Sequence, residues 1–158
     1  LKQRGIAFEF HICGDGSQAD FIRQEVQRYG LEGDVVLHGA LDFKAELLPL
    51  IRNEVDLFVC CHRQGDPSCT YLETMACGVP IVGFLNEAFE GLLELGDFGH
   101  GVPIDDVRAL ADLIVELDHS RNRIAELSRN ALAFSREHSF ERTFARRIEH
   151  MRRIRVAR

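Results

Sequence analysis

Apolar and polar positions along this chain switch repeatedly between the strand period and the helix period. Ile6–Cys13, IAFEFHIC, is rich in β-branched and aromatic residues and stops at GDG, which predicts a strand running into a tight turn. Ala19, Ile22, Val26 and Tyr29 then recur at intervals of three, four and three, one stripe of a helix closed by Gly30 and Gly33. DVVLHG (Asp34 to Gly39) reads as a second strand. Phe43, Leu47, Leu50 and Ile51 form another helical face, and DLFVCC (Asp56 to Cys61) a third strand. A helix from about Cys69 to Cys77 ends at Gly78, a residue suited to the C′ position, and PIVGF (Pro80 to Phe84) is a fourth strand. After the glycine-rich LGDFGHG, the short VPI (Val102 to Ile104) supplies a last one.

The remainder reads as helix. Asp105, Ser120 and Ser139 are placed to cap three segments. Their stripes are Val107, Leu110, Ile114 and Leu117; Ile124, Leu127, Ala131 and Phe134; and Phe140, Phe144, Ile148 and Met151. Nearly continuous apolar strands alternating with helices predict an α/β, Rossmann-like three-layer domain with a mostly parallel sheet and a helical C-terminal extension. The expected organisation is one domain over residues 1–138, with a basic amphipathic helix over 139–158 packed on it.

Size and composition narrow the class without naming a function. The 158 residues suit one ordinary domain, with 46% hydrophobic and 28% charged residues. A net charge of −6 argues against nucleic-acid binding by the chain as a whole. Charge is unevenly spread: Glu141–Arg158 holds seven arginines against two glutamates, +5, which leaves −11 for the rest. No apolar run is long enough to span a membrane. Five cysteines, two of them adjacent, favour buried reduced thiols and a cytoplasmic location over a disulfide framework.

Ligands of open parallel sheets bind beyond the carboxyl ends of the strands. Two segments there stand out. CGDGS (Cys13 to Ser17) turns strand into helix. Gly14 and Gly16 serve the turn, but Ala19 stands where a third fingerprint glycine would fall, so this is a weak dinucleotide signature. The second segment is His62–Ser68 and the helix after it. Pro67 and Ser68 can start that helix, whose first amides, with the positive end of its dipole, suit a diphosphate. Glu73 stands among small residues, Cys69, Thr70, Ala76 and Cys77, with Leu72, Met75 and Val79 on the expected core side. A carboxylate there accepts two hydrogen bonds from a vicinal diol, or it pairs with a nearby basic or backbone group. Spacing alone leaves both open.

The run GDGSQADFIRQEVQRYGLEGDVVLHGALDFKAELLPLIRNEVDLFVC, followed by DPSCTYLETMACGVPIVG, resembles the C-terminal, donor-binding half of GT-B fold retaining glycosyltransferases, specifically glycosyltransferase family four. The likeness runs from about Ile6 to Met151 and is most specific in LETMACGVPIVG. It implies that Glu73 binds the nucleotide ribose, that the amides of Thr70, Tyr71 and Leu72 hold the diphosphate, and that Gly39, Ala40 and Leu41 lie beside the base. It implies transfer from a nucleoside-diphosphate sugar to an acceptor hydroxyl with retention, no cofactor or required metal, and an acceptor domain that this chain lacks. The family's first glutamate, seven residues before Glu73, falls on Gly65. Asp66, one residue late, is the nearest candidate for the donor-sugar contact, and Arg63 the only guanidinium in the loop. The competing readings are a GT-B sugar-nucleotide epimerase and a non-catalytic nucleotide- or partner-binding module.

Other constellations are weaker. Cys60, Cys61, His62, Cys69 and Cys77 lack zinc-ligand spacing, so no metal site is expected of them. His38, His100 and His119 stand alone in the sequence. Asn86, Glu87 and Glu90 follow the fourth strand, where relatives place a glutamate near the donor. The arginine-rich end reads either as a solvated or packed helix or as a peripheral contact with anionic lipid.

Overall fold

The structure, a computed structural model, describes residues 1–65 and 69–156. It divides into two compact units, Leu1–Glu54 and Val55–Arg158. Every strand pairing in it is parallel.

In the first unit, β1 (Phe10–Cys13) pairs with β2 (Val35–Gly39), with α1 (Ala19–Arg28) between them in sequence. This is the right order for a βαβ crossover. The register runs Phe10↔Val35, His11↔Val36 and Ile12↔Leu37, then slips so that Cys13 faces Gly39. Beyond β2, Asp42 starts a π-helical turn (Phe43–Leu47) that leads into α2 (Leu48–Glu54). Its carboxylate accepts from the amides of Lys44 and Ala45, while Glu46 accepts from the amide of Asp42, a reciprocal cap. No described residue of this unit is fully buried, and Phe21 and Tyr29 of α1 are exposed. A two-stranded sheet offers too little surface to close a core.

The core lies in the second unit. Here β3 (Phe58–Cys60), β4 (Ile81–Phe84) and β5 (Gly99–Val102) form a sheet in that order, with β4 central and wholly buried. One face carries Cys60, Tyr71, Met75, Ile81, Phe89, Phe98 and Ala131. The other carries Val82, Phe84, Val102, Leu110, Leu117, Ile124 and Leu127. Burial on both faces is why these strands lack a polar side, and each fully buried large side chain contributes roughly 1.5–3 kcal/mol. The helices that cover them are α3 (Cys69–Ala76), α4 (Glu87–Leu93), α5 (Val107–His119) and α6 (Arg121–Glu137).

Several expectations shift by a few residues. The last strand is Gly99–Val102, three residues before the predicted VPI. Asp106, not Asp105, caps α5 by accepting from the amide of Ala109. Asp105 instead adopts φ 65°, unusual for a residue with a side chain. Ser120 flanks α6 without a side-chain cap bond, while Ser139 Oγ accepts from the amide of Arg142. The final helix, α7 (Phe140–Val156), leaves its apolar stripe in the open: Phe140, Phe144, Ile148, Met151 and Ile154 are all exposed. The packing expected of that stripe is not seen among the described residues. No helix of the described residues is long and apolar enough to cross a membrane.

Candidate functional site

The strand-end turns of the first unit meet at one place. Gly14, at φ 150°, donates its amide to the carbonyl of Gly39, 2.7 Å away, and Gly39 takes φ 70°. Left-handed backbone at Gly39 would strain any other residue. The two turns thereby close one side of a cleft of about 230 Å³, lined by Gly14, Gly16, Ala19, Ile22, Leu37 and Gly39. It sits at the carboxyl ends of β1 and β2, where open parallel sheets bind ligands. Of the segment expected beside a base, Gly39 lines this cleft, Ala40 is exposed and Leu41 half-buried.

In the second unit the central feature is α3. Tyr71, Thr74 and Met75 face the core, and the Tyr71 hydroxyl meets Cys60 Sγ at 3.0 Å. The side chain of Tyr71 is therefore committed to the interior. Leu72, expected on the core side, is 39% exposed, so the buried stripe is rotated from the predicted one. The helix ends in a Schellman motif: Gly78, at φ 82°, donates to the carbonyl of Met75, and Val79 to that of Thr74. Glu73 lies on the opposite, exposed face beside Cys69, Thr70, Ala76 and Cys77, none of which is fully buried. It makes no hydrogen bond or ion pair among the described residues. Its carboxylate is exposed, which removes the cost of burying it, and no basic partner for it is found among the described residues. Asp66, Pro67 and Ser68, on which the helix start and the donor-sugar contact were placed, lie outside the described residues.

The loop before α3 is anchored from behind by Asn86. This residue is 1% exposed; its Oδ1 accepts from the amide of Phe89 to cap α4, while its Nδ2 donates to the carbonyl of His62. One side chain thus fixes both the start of α4 and the loop. At Gly65 a Cβ would come within 3.1 Å of Glu87 Cβ, so this end of the loop runs directly against α4. Arg63 is exposed and ion-paired through Nε with Asp105 at 2.7 Å. Its charge is shared with a carboxylate, which weakens its use as a lone phosphate ligand.

The thiols differ from expectation. Cys60 is fully buried, but Cys13, Cys61 and Cys69 are exposed and Cys77 half-buried. Desolvation, with a smaller contribution from Cys60, raises the Cys61 thiol above its ordinary value, so it is no activated nucleophile. His38 and His100 do not stand alone: His38 Nε2 lies 2.8 Å from His11 Nδ1, and His100 Nε2 lies 3.3 Å from Arg123. Arg123 also grips Asp97 through two nitrogens, and that guanidinium lowers the Asp97 carboxyl below its ordinary range. His119, at the end of α5, is exposed. Among the described residues, the group whose ligand atoms converge closely enough for a metal ion is Glu9, His11 and Glu54, at the amino end of β1.

Residues 1–119 match the family described as glycosyl transferases group 1. The chain belongs to that family. Among its relatives is N-acetyl-alpha-D-glucosaminyl L-malate synthase of Bacillus anthracis, 29% identical over 137 residues that make up 87% of this chain and 34% of the relative. Another is 2-deoxystreptamine N-acetyl-D-glucosaminyltransferase of Streptomyces fradiae, 29% identical over 123 residues, 73% of this chain and 28% of that one. The chain spans about a third of the length of the curated relatives it matches. In fold it is similar to sucrose-phosphate synthase from Thermosynechococcus elongatus, with TM-score 0.79 and 21% identity over 94% of this chain and 39% of that one. It is likewise similar to HepE from Anabaena, solved with UDP and glucose, with TM-score 0.76 and 22% identity over 90% and 40% of the two chains. The fold is that of a GT-B glycosyltransferase domain.

Proposed function

We propose that this chain is the donor-binding half of a retaining glycosyltransferase, taking a nucleoside-diphosphate sugar in the cytoplasm and completed by an acceptor domain outside these residues. Glu73 carries the reading. It stands exposed and unpaired among the described residues, within the LETMACGVPIVG stretch that resembles the family's donor-site motif. A solvated carboxylate with free lone pairs accepts hydrogen bonds from both hydroxyls of a ribose. The backbone of Thr70, Tyr71 and Leu72, in the first turn of α3, supplies the positive end of a helix dipole for the diphosphate. Gly39, Ala40 and Leu41 are assigned to the base, and Asp66 to the donor sugar.

In this reading the chemistry is electrostatic. The leaving diphosphate gathers charge as the anomeric bond breaks, and fixed dipoles aimed at it lower that barrier. The acceptor hydroxyl attacks from the face the leaving group vacates, and no metal is required. Arg63 must exchange Asp105 for phosphate if it is to help.

Calorimetric titration with UDP, GDP and ADP tests the reading. One of the three is expected to bind. Glu73→Gln should weaken that binding about tenfold, the size of a lost charged hydrogen-bond pair, and leave the Tm unaltered because the residue is exposed. Failure of all three at millimolar concentration, or a Glu73→Gln protein that binds normally but melts early, would remove the assignment.

A further inference from the structure

Glu9 and His11 are two residues apart where the chain enters β1, so they extend to the same side of it. His38 lies on that side too, two residues beyond the Val36 that His11 pairs with. Glu54, the last residue of α2, closes the group from another element. One ligand atom from each of Glu9, His11 and Glu54 lies within 4.8 Å of the others. The two glutamates are exposed, whereas the His11 side chain is only 11% exposed.

The two imidazole nitrogens have different partners. His11 Nε2 lies 2.9 Å from Glu9 Oε1, and His11 Nδ1 lies 2.8 Å from His38 Nε2. The rings of His11 and His38 stack, with centroids 5.1 Å apart and planes 19° apart. When His11 Nδ1–H donates to His38, the lone pair on Nε2 points at the carboxylate group. In the other tautomer Nε2–H donates to Glu9 Oε1 with no ion needed; a cation held between Nε2 and the carboxylates selects the first. Metal-bound histidines use this arrangement: one nitrogen ligates, while the other is held by an acceptor that fixes the tautomer.

We propose that Glu9, His11 and Glu54 bind one divalent cation of the zinc class, with His38 positioning His11. One nitrogen and two carboxylate oxygens suit Zn²⁺, and the absence of sulfur from the set disfavours softer ions. Ligand atoms about 2.0–2.2 Å from zinc lie roughly 3.3–3.6 Å from one another in a tetrahedron. Rotation of the exposed glutamates brings the set to that spacing. Three protein ligands leave a coordination position to water. The ion would tie the end of α2 to the start of β1. That is a useful staple in a unit none of whose described residues is fully buried. The site lies at the amino end of β1, and the Gly14–Gly39 cleft at its carboxyl end.

The test titrates EDTA-stripped protein with Zn²⁺, without nucleotide, following heat and Tm together. The expected result is one equivalent bound with a rise in Tm. Affinity should fall about tenfold or more in Glu9→Gln and in Glu54→Gln, both exposed positions whose metal-free proteins should melt like the parent. His38→Phe should weaken binding less. Substituted Co²⁺ should show no thiolate charge-transfer band, which excludes the five free cysteines as its ligands. The proposal is overturned by unchanged Zn²⁺ affinity in both glutamine variants, by a thiolate band, or by no binding. In the last case, ¹⁵N NMR showing a proton on His11 Nε2 would assign the contact to a hydrogen bond with Glu9.

Discussion

At the scale of single residues, the contrast between Glu73 and Asn86 separates ligand binding from architecture. Glu73 is exposed and makes no hydrogen bond or ion pair among the described residues, so the effect expected of replacing it is on binding. Asn86 is the reverse: it is buried and uses its carbonyl to cap α4 and its amide to hold the His62 carbonyl. Asn86→Ala removes both bonds and leaves the buried Phe89 amide and the part-buried His62 carbonyl without these partners. The expected loss is about 2–4 kcal/mol, measured by urea unfolding, from a lost cap plus an unsatisfied acceptor. The same substitution should speed amide exchange over residues 62–65 more than in α5 or α6. Uniform acceleration instead would mean that Asn86 stabilises the unit globally and does not anchor the loop.

At the scale of elements, β3, β4 and the helices behind them are legible because burial on both faces gives continuous apolar runs, and because Gly78 marks the end of α3. The last strand is not. Gly99 and Gly101 read as loop residues, yet the sheet needs them: a Cβ at Gly99 would lie 2.2 Å from the Ile81 carbonyl oxygen, and one at Gly83 2.0 Å from that of Cys60. Backbone proximity of this kind has no signature in a hydrophobic pattern. Gly83→Ala should therefore cost about 3 kcal/mol or more. Gly91→Ala, in the exposed part of α4 with nothing within 4 Å, should be neutral or stabilise by about 0.5–1 kcal/mol. The candidate site was legible in part. Glu73 is marked by residue type and spacing, and Gly39 only by the family resemblance. The rotation of α3 that exposes Leu72, the His11–His38 contact and the convergence of Glu54 on β1 depend on tertiary placement. In α7, the exposed stripe Phe140, Phe144, Ile148, Met151 and Ile154 runs beside Arg142, Arg146, Arg147, Arg152 and Arg153, the composition of a helix that lies on an anionic surface. Replacing Phe144 and Ile148 together by glutamate should leave the Tm nearly unchanged but abolish co-sedimentation with phosphatidylserine vesicles. Equal sedimentation of parent and variant would assign the stripe to a protein contact.

At the scale of the whole molecule, the 158 residues account for about a third of the curated relatives. Binding and turnover should therefore come apart. On the proposed reading, a donor bound at α3 loses its diphosphate slowly unless an acceptor hydroxyl is positioned against the anomeric carbon, and orientation of two reactants is worth several orders of magnitude in rate. The isolated chain should bind the nucleoside diphosphate yet transfer sugar at least about a hundredfold more slowly than the complete protein. In the complete protein the product should keep the donor's anomeric configuration, read from its anomeric proton coupling by NMR. The fold alone does not dictate that outcome, because one GT-B scaffold can present the acceptor to either face of the sugar. Retention requires the attacking hydroxyl to enter on the side the diphosphate leaves, where the positive end of α3 can stabilise the departing charge and hold the diphosphate close to the incoming nucleophile. An inverted product would place the acceptor on the opposite face, and the role given to α3 would shrink to ground-state binding.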